Sequence, residues 1–419
     1  MLISHVSFAR RGIVGLALSL VGFVAVTAFD SSVAADPVRR GLDYRGLRPA
    51  TAQECGPRSF VLVGAARADA CSHGPDPAPD GVDVTVERTA AELRAEAEEV
   101  AGTAGAAESV PCYGDGVSGR RVQAIYAVAA DRTDRFAEVA SLIRGYAAGV
   151  DRAFADSAAQ TGGVRHVRWV TDGACALDVA HVVLSSTGDD NISATEAELA
   201  ARGYNRTDRK YLTWVDDTTY CGIADVISDD RPTADNGNNA GPGYARIDTG
   251  CWGGLYSTEA HELMHLLGGV QHSAPHASGA WHCTDQQDRM CYSDGGGQPL
   301  TYPCPDVANE VLFDCGHDDY FHTTPPAGSY LSTHWNSANS GFLAVDASGS
   351  PPVSERTVTF TGTLSKRAPR KAFEVFTQPG VVRAELTFTK STALQQTIRT
   401  AGGTTLAQTK GPSVLVTSA

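Results

Sequence analysis

No two of the ten cysteines form a C-x-x-C pair, so the cysteine half of a zinc knuckle is missing. Positive charge is also scarce. With 34 Lys and Arg against 48 Asp and Glu, the formal net charge is -14, which excludes the basic surface that displaces counterions from nucleic acid. No EF-hand spacing and no internal repeat occurs. Residues 356–419 contain neither cysteine nor histidine, so thiol chemistry and imidazole ligation are confined to what precedes them.

What is present begins with an export signal. Arg10 and Arg11 precede an apolar run from Gly12 to Phe29, and "SSVAAD" offers small residues for a cut near Ala34 or Ala35. The run is marginally long enough to anchor in a membrane, but a polar, acidic chain follows at once and no lipid-attachment cysteine lies nearby. The expectation is a secreted protein, one unit more acidic after losing Arg10, Arg11 and Asp30, with no stable membrane insertion. All ten cysteines then lie in the exported part, and an even count there implies disulfides whose pairing the sequence leaves open.

The organisation reads as a signal peptide at 1–35, a leader or pro-segment at 36–111, a catalytic domain at 112–343, a linker at 344–355 and a small β-rich domain at 356–419. In the leader, "SFVLVGAARA" is the one clear apolar run, and "VERTAAELRAEAEEVA" has helix-forming composition with Glu and Arg along its polar side. Such a segment can cover an active site until cleaved. "ECGPRSF" sets Cys55 near an arginine, somewhat as cysteine-switch propeptides do, although the even cysteine count favours a paired Cys55.

From 112 onward the pattern is α/β. "RVQAIYAVAA", "VRHVRWVT", "LDVAHVVLS", "KYLTWVDD" and "YARIDTG" predict strands, and residues 135–158 repeat apolar positions at helical spacing. "SATEAELAARG" predicts a second helix capped by Ser193 or Thr195 and stopped at Gly203. The polar stretch 229–243 reads as a surface loop whose carboxylates and amides could hold a structural Ca2+. Asn191 and Asn205 fit the glycosylation pattern. Beyond the linker, "RTVTFTGTL", "AFEVFT", "VVRAELTFTK", "QQTIRT" and "SVLVTSA" predict an all-β appendage.

The chemistry concentrates in "STEAHELMHLLGGVQHSAPHASGAWHCTDQQDRMCY", residues 257–292. Four residues apart on a helix, His261 and His265 project from one face and can meet one ion. Glu262 points elsewhere and can take a proton from water at that ion without becoming a ligand. Gly268 and Gly269 let the chain leave the helix sharply.

This run resembles the metzincin zinc metallopeptidases, whose signature is H-E-x-x-H-x-x-G-x-x-H followed by a methionine turn. His261, Glu262, His265 and Gly268 match it, and Met290 and Tyr292 in "DRMCY" resemble the turn, with methionine as an apolar floor and tyrosine able to approach the metal. More narrowly, "LGGVQHSAP", "HCTDQQDRMCY", "DCGHDDYF" and "YLSTHWNSANSGFL" resemble a group of secreted actinobacterial zinc metallopeptidases, over about residues 112–343. The resemblance implies an α/β (α+β) catalytic domain with a mixed twisted sheet and an active-site helix. One departure matters: the third-ligand position holds Gln271. His282, His272 and Asp285 compete to replace it, in the order suggested by the "HC-x-D" element of the narrower group. Asp285 and Asp288 can instead orient a ligand histidine. His276 reads as a loop residue, His317, Asp318 and Asp319 as structural or calcium-binding, and Cys283 with Cys291 as a brace for the turn.

These expectations amount to a secreted Zn2+ endopeptidase acting on protein or peptide substrates, with Glu262 and Tyr292 in the reaction. Two rivals share the residues: a secreted zinc-stabilised binding protein without peptidase activity, and a hydrolase of non-peptide amides.

Overall fold

The computed structural model describes residues 42–346, except 80, 105–108 and 254–256, and of the remainder only 363–365, 381–386, 394–399, 405–410 and 413–418. The expected signal peptide and most of the expected linker lie outside the described residues.

The leader opens with a small antiparallel sheet of β1 (Leu47–Pro49), β2 (Phe60–Leu62) and β3 (Cys71–Ser72), with the one-turn helix α1 (Ala52–Cys55) between the first two. Thr51 and Glu54 cap α1 reciprocally, each side chain meeting the other's backbone N–H. Cys55 is bonded to Cys71 and therefore offers no thiolate. Helix α2 (Ala90–Ala104) follows, close to the span its composition predicts.

A five-stranded sheet comes next. It contains β4 (Arg121–Ala129), β6 (Val179–Leu184), β7 (Arg209–Val215), β8 (Gly222–Ala224) and β9 (Tyr244–Asp248), in spatial order β6-β4-β7-β9-β8. All neighbours run parallel except β8, which pairs antiparallel with β9 at one edge. The 25-residue α3 (Phe136–Gln160) lies between β4 and the short β5 (His166–Val167), and α4 (Ile192–Ala201) lies between β6 and β7.

Strand β4 is buried over its whole length, as expected of a central parallel strand covered on both faces. Its side chains alternate accordingly. Ala124, Tyr126 and Val128 join the core shared with α3, whereas Ile125 and Ala127 join Leu199 of α4 on the other side. The sheet thus has helices on both faces, a mixed α/β arrangement.

Three details differ from the sequence reading. Helix α4 is capped by Asn191, whose side chain accepts from the Ala194 N–H at 3.0 Å, while Ser193 and Thr195 lie within the helix and donate to the carbonyls of Gly46 and Gly188. The cap engages Asn191 as an acceptor, whereas Asn205 is exposed. "VRHVRWVT" gives only a two-residue strand, paired with β10 (Leu343–Ala344), and meets the large sheet through an isolated parallel bridge of Trp169 with Val122 of β4. The short helix α6 (Tyr330–Thr333) leads towards that ladder, and α5 (Thr258–Leu266) carries the His-Glu-x-x-His run. In the C-terminal part, β11 (Val381–Leu386) pairs with β14 (Ser413–Ser418), and β12 (Gln395–Arg399) with β13 (Thr405–Lys410), all antiparallel. "RTVTFTGTL" and "AFEVFT" fall mainly outside the described residues.

The carboxyl end of the sheet is tied by Arg246. Its fully buried guanidinium meets Asp248 at 2.7 Å and Asp217 at 2.7 Å, and donates to the Asp189 carbonyl and Thr195 hydroxyl. Removing it takes the buried counter-charge from two carboxylates, leaving Asp217 with Arg132 and Asp248 with the Thr219 and Tyr220 N–H groups. Arg246→Met is expected to cost about 3–5 kcal/mol, read as a lower urea midpoint; an unchanged midpoint would show that the cluster adds nothing to stability.

All ten cysteines are paired: Cys55–Cys71, Cys112–Cys175, Cys221–Cys251, Cys283–Cys291 and Cys304–Cys315. Among the described residues, no helix is long and apolar enough to cross a membrane. Disulfides of this number are consistent with an oxidising, extracellular setting.

Candidate metal centre

Helix α5 starts at Ser257, whose hydroxyl accepts from the Ala260 N–H. Its first turn is fixed from beneath, where buried Glu259 accepts from Trp214 Nε1 of β7 at 3.0 Å and from the Gly253 N–H at 2.6 Å. The helix ends at Gly268, with φ +91°, where a Cβ would lie 2.6 Å from both Asn238 Cγ and Trp335 Nε1. Left-handed backbone and close approach together demand glycine at this exit. Beyond it the chain returns, and His282 faces the helix.

The structure brings His261, His265 and His282 together. Their Nε2 atoms lie 3.1 Å (261 to 265), 3.2 Å (261 to 282) and 3.2 Å (265 to 282) apart. At two of the rings the opposite nitrogen is engaged: His261 Nδ1 donates to the Arg289 carbonyl at 2.8 Å, and His282 Nδ1 to Asp294 at 3.0 Å. With the protons on Nδ1, those Nε2 atoms present lone pairs to one another. Convergent lone pairs repel unless a cation lies between them. Imidazoles held at about 2.0 Å around a tetrahedral ion would be spaced by about 3.3 Å, close to what is seen. The residues therefore fit a zinc-like ion. His265 Nδ1 is buried without a hydrogen-bond partner among the described residues, and burial, reinforced by the neighbouring histidines, pushes the His265 pKa well below its usual value.

Of the other two candidates for the third ligand, neither reaches this point. His272 packs on Trp281 with ring centroids 4.4 Å apart, and its burial lowers its pKa to about 4. Asp285 belongs to a separate cluster with His276, Asp318 and Asp319. There His276 Nδ1 is 3.1 Å from Asp319, 3.5 Å from Asp285 and 3.7 Å from Asp318. Asp288 does not orient a histidine. It accepts from Tyr320, the Met290 N–H and the Cys315 N–H, and burial raises its pKa to about 7. The carboxylate behind a ligand ring is Asp294, which the sequence reading missed because it lies beyond the "DRMCY" turn. Burial acts to raise the Asp294 pKa, but His282 and the Ser278 hydroxyl hold it below the ordinary range.

Met290 is fully buried beside the Cys283–Cys291 disulfide. In the 229–243 loop, Asp229 is committed to Arg231 and the Gly237 N–H, so its carboxylate serves the loop itself. The two other cysteine-containing acidic groups are closed by disulfides and offer no free thiolate.

Two further side chains reach the centre from the leader. Asp76 Oδ2 is 3.0 Å from His261 Nε2, and Asp76 Oδ1 is 3.6 Å from His282 Nε2 and accepts from the Tyr292 hydroxyl. His73 stacks on His265 with centroids 4.0 Å apart, and its Nε2 is 3.2 Å from Glu262 Oε2. "CSHGPDPAPD" gave only one weak signal, a histidine and an aspartate three apart beside prolines. Burial, together with the charge of Asp76, raises the Glu262 pKa well above the carboxylate range. Burial also acts to raise that of Asp76, but His73 and His261 hold it well below. Space for Glu262 depends on Gly222 of β8, where a Cβ would lie 1.9 Å from Glu262 Oε1.

No family model and no curated relative matches the sequence. Among solved structures, the chain is similar to metalloproteinase-II from Bacteroides fragilis, at 12% identity and a TM-score of 0.22, over 53% of this chain and 61% of that one. The chain thus matches less than two thirds of that protein's length. A likeness at this level carries no argument for fold or activity. What stands on the residues is a mixed α/β, disulfide-containing protein with side-chain clusters that could hold a metal ion.

The orienting carboxylate provides a test. Asp294→Asn is expected to weaken zinc binding about 10–100-fold while leaving the fold intact, as competition with a chromogenic chelator would measure. Unchanged affinity would separate Asp294 from the centre.

Proposed function

We propose that this chain is a secreted zinc-dependent endopeptidase of metzincin-like type, in which His261, His265 and His282 hold the ion and Glu262 is the general base. One observation supports the reading: three imidazole Nε2 atoms converge at tetrahedral spacing, with a buried glutamate on the same helix and next to the first of them. A zinc ion bound there supplies Lewis acidity towards water and the scissile carbonyl.

The chain's own groups supply the rest. Glu262 receives the proton of the attacking water and returns it to the departing amine. Tyr292, whose ring centroid is 4.2 Å from that of His282 and whose hydroxyl donates to a carboxylate oxygen at the centre, would turn that hydroxyl to the developing oxyanion. Edge strand β8 offers backbone groups along which an extended peptide can lie.

A second reading draws on a specific observation. With Asp76 3.0 Å from His261 Nε2 and 3.6 Å from His282 Nε2, a fourth protein group could close the coordination sphere, as in a structural site. The protein would then be a zinc-stabilised binding protein. Hydrolysis of a quenched-fluorescent peptide library by zinc-loaded protein, before and after removal of the leader, separates the two. Zinc at one equivalent with no cleavage in either form would defeat the peptidase reading. Release of product from non-peptide amides alone would point to the other hydrolase class.

A further inference from the structure

A second group of donors lies on the loop that supplies His282. Residues 276–285 fold back on themselves: the Thr284 N–H donates to the His276 carbonyl at 2.9 Å, Ala277 forms an antiparallel bridge with Cys283, and the Ser278 N–H donates to the His282 carbonyl at 2.8 Å. His276 and Asp285 therefore stand close together where the loop begins and ends. Asp318 and Asp319 reach the same point from a later segment. Buried Asp314 holds that segment, its carboxylate accepting from the N–H groups of residues 318–321.

One imidazole faces three carboxylates. His276 Nδ1 is 3.1 Å from Asp319, 3.5 Å from Asp285 and 3.7 Å from Asp318. A single N–H serves only one of them, and Asp319 takes it. Asp285 is left without a donor at this point: its side chain is 2% exposed, its Oδ2 accepts no hydrogen bond among the described residues, and its Oδ1 has only the Thr301 hydroxyl at 3.4 Å. Asp318 Oδ1 is likewise buried with no hydrogen-bond partner among the described residues. The two oxygens face one place, since a Cβ at Gly316 would lie 2.6 Å from Asp318 Oδ1 and 3.4 Å from Asp285 Oδ2. Buried carboxylate oxygens without donors, crowded by like charge, are costly. Burial, then the charge of Asp314, pushes the Asp319 pKa up to about 7, and burial raises that of Asp285. A cation between them relieves both effects.

The donor set indicates which cation. One imidazole nitrogen and three carboxylate oxygens lie within 4.8 Å of one another. Around a six-coordinate ion with ligands at about 2.1–2.4 Å, the span between Mg2+ and Ca2+, neighbouring donors are about 3.0–3.4 Å apart and opposite ones about 4.2–4.8 Å. The observed spacings fall in that range. Mg2+ and Ca2+ take oxygen ligands and have little use for an imidazole, whereas three carboxylates make a harder set than the three imidazoles of the zinc centre. Mn2+ accepts both kinds of donor in octahedral geometry. The His276 and Asp318 side chains are 39% and 46% exposed, so the ion and its waters can arrive from solvent. Ligation requires Nδ1 without its proton, which the ring then carries on Nε2.

We propose that His276, Asp285, Asp318 and Asp319 form a second metal site, for a divalent cation of the Mn2+ class, which ties both ends of the loop carrying His282 to the segment around Asp318. The sequence reading had kept these residues apart, with His276 in a loop and Asp285 at the zinc ion. The site uses none of the three imidazoles of the zinc centre and does not rest on the peptidase reading.

The test uses the full exported chain with its zinc centre already filled by one equivalent of Zn2+. Mn2+ is then titrated in, and the electron paramagnetic resonance signal of the free ion reports how much is bound. One equivalent is expected to bind, and its spin echo is expected to carry modulation from a directly coordinated nitrogen. His276→Ala and Asp285→Ala should each weaken Mn2+ binding at least about tenfold, while His272→Ala leaves it unchanged. Mn2+ should also raise the Tm of the zinc-loaded wild type but not that of either weakened variant. No binding beyond the zinc centre, or equal affinity in the wild type and Asp285→Ala, would overturn the site. Binding lost in Asp285→Ala but kept in His276→Ala, without nitrogen modulation, would reveal an oxygen-only site of the calcium type and overturn the assignment to Mn2+. Should Asp285→Ala not fold, Asp318→Asn, at a half-exposed side chain, together with the nitrogen modulation of the wild type, decides the matter. Zinc content is untouched by any of these results, so the peptidase reading stands or falls separately.

Discussion

Glu262→Gln is expected to retain close to one equivalent of zinc and to lose peptide hydrolysis by about 10²–10⁴-fold in kcat, the usual share of a positioned general base. The substitution is nearly isosteric, so it should not disturb the packing that Gly222 permits around this side chain. It leaves the three converging imidazoles unaltered. What it removes is the capacity to receive a proton. The measurement must use chain freed of its leader, because in the intact chain His73 already occupies the carboxylate. Zinc content by metal analysis and turnover on one peptide substrate, from the same preparation, give the answer. If zinc and turnover both survive, the base lies elsewhere; if both vanish, Glu262 supports the site rather than the reaction.

Much of the fold was legible because periodicity is a local property. The nine residues of β4 and the long apolar repeat of α3 lie where their patterns place them, since β4 is a near-continuous run buried on both faces and α3 buries one consistent face. Where three polar residues compete for a cap, locality fails. Asn191, Ser193 and Thr195 are all competent caps, and contacts from Gly46 and Gly188 decide which of them ends up inside α4. "VRHVRWVT" has strand composition, but its partner is β10, more than 170 residues further on, which no local pattern reveals.

The metal centre divides in the same way. His261, Glu262 and His265 were readable because helical spacing alone sets them on one turn. Ranking His282 above His272 and Asp285 required the resemblance, since three irregular loop residues have no periodicity. Stacking on Trp281 accounts for His272, and the cluster around His276 for Asp285. His73 and Asp76 were not readable at all, because their approach depends on how the leader pairs with β8. Asp294 was missed for a related reason: its role follows from a hydrogen bond across a loop, not from its distance in sequence.

His282→Ala is expected to have the larger effect on the metal. Two nitrogens on one helical turn would remain, and Asp294, buried and accepting from His282, would lose a partner. Zinc affinity should therefore fall by more than the ~10–100-fold anticipated for Asp294→Asn. Stability should follow. For an ion that binds only the folded state, a free concentration of 1,000 times Kd contributes about 4.1 kcal/mol. Chelation of the wild-type protein should consequently lower its Tm, whereas the same chelator should barely move that of His282→Ala. His272→Ala and Asp285→Ala provide the contrast, since neither side chain reaches the three converging nitrogens, and both variants should keep the chelator-sensitive Tm of the wild type. The opposite pattern, with zinc lost on changing His272 and kept on changing His282, would mean that the lone pairs facing one another in this fold are not what holds the ion.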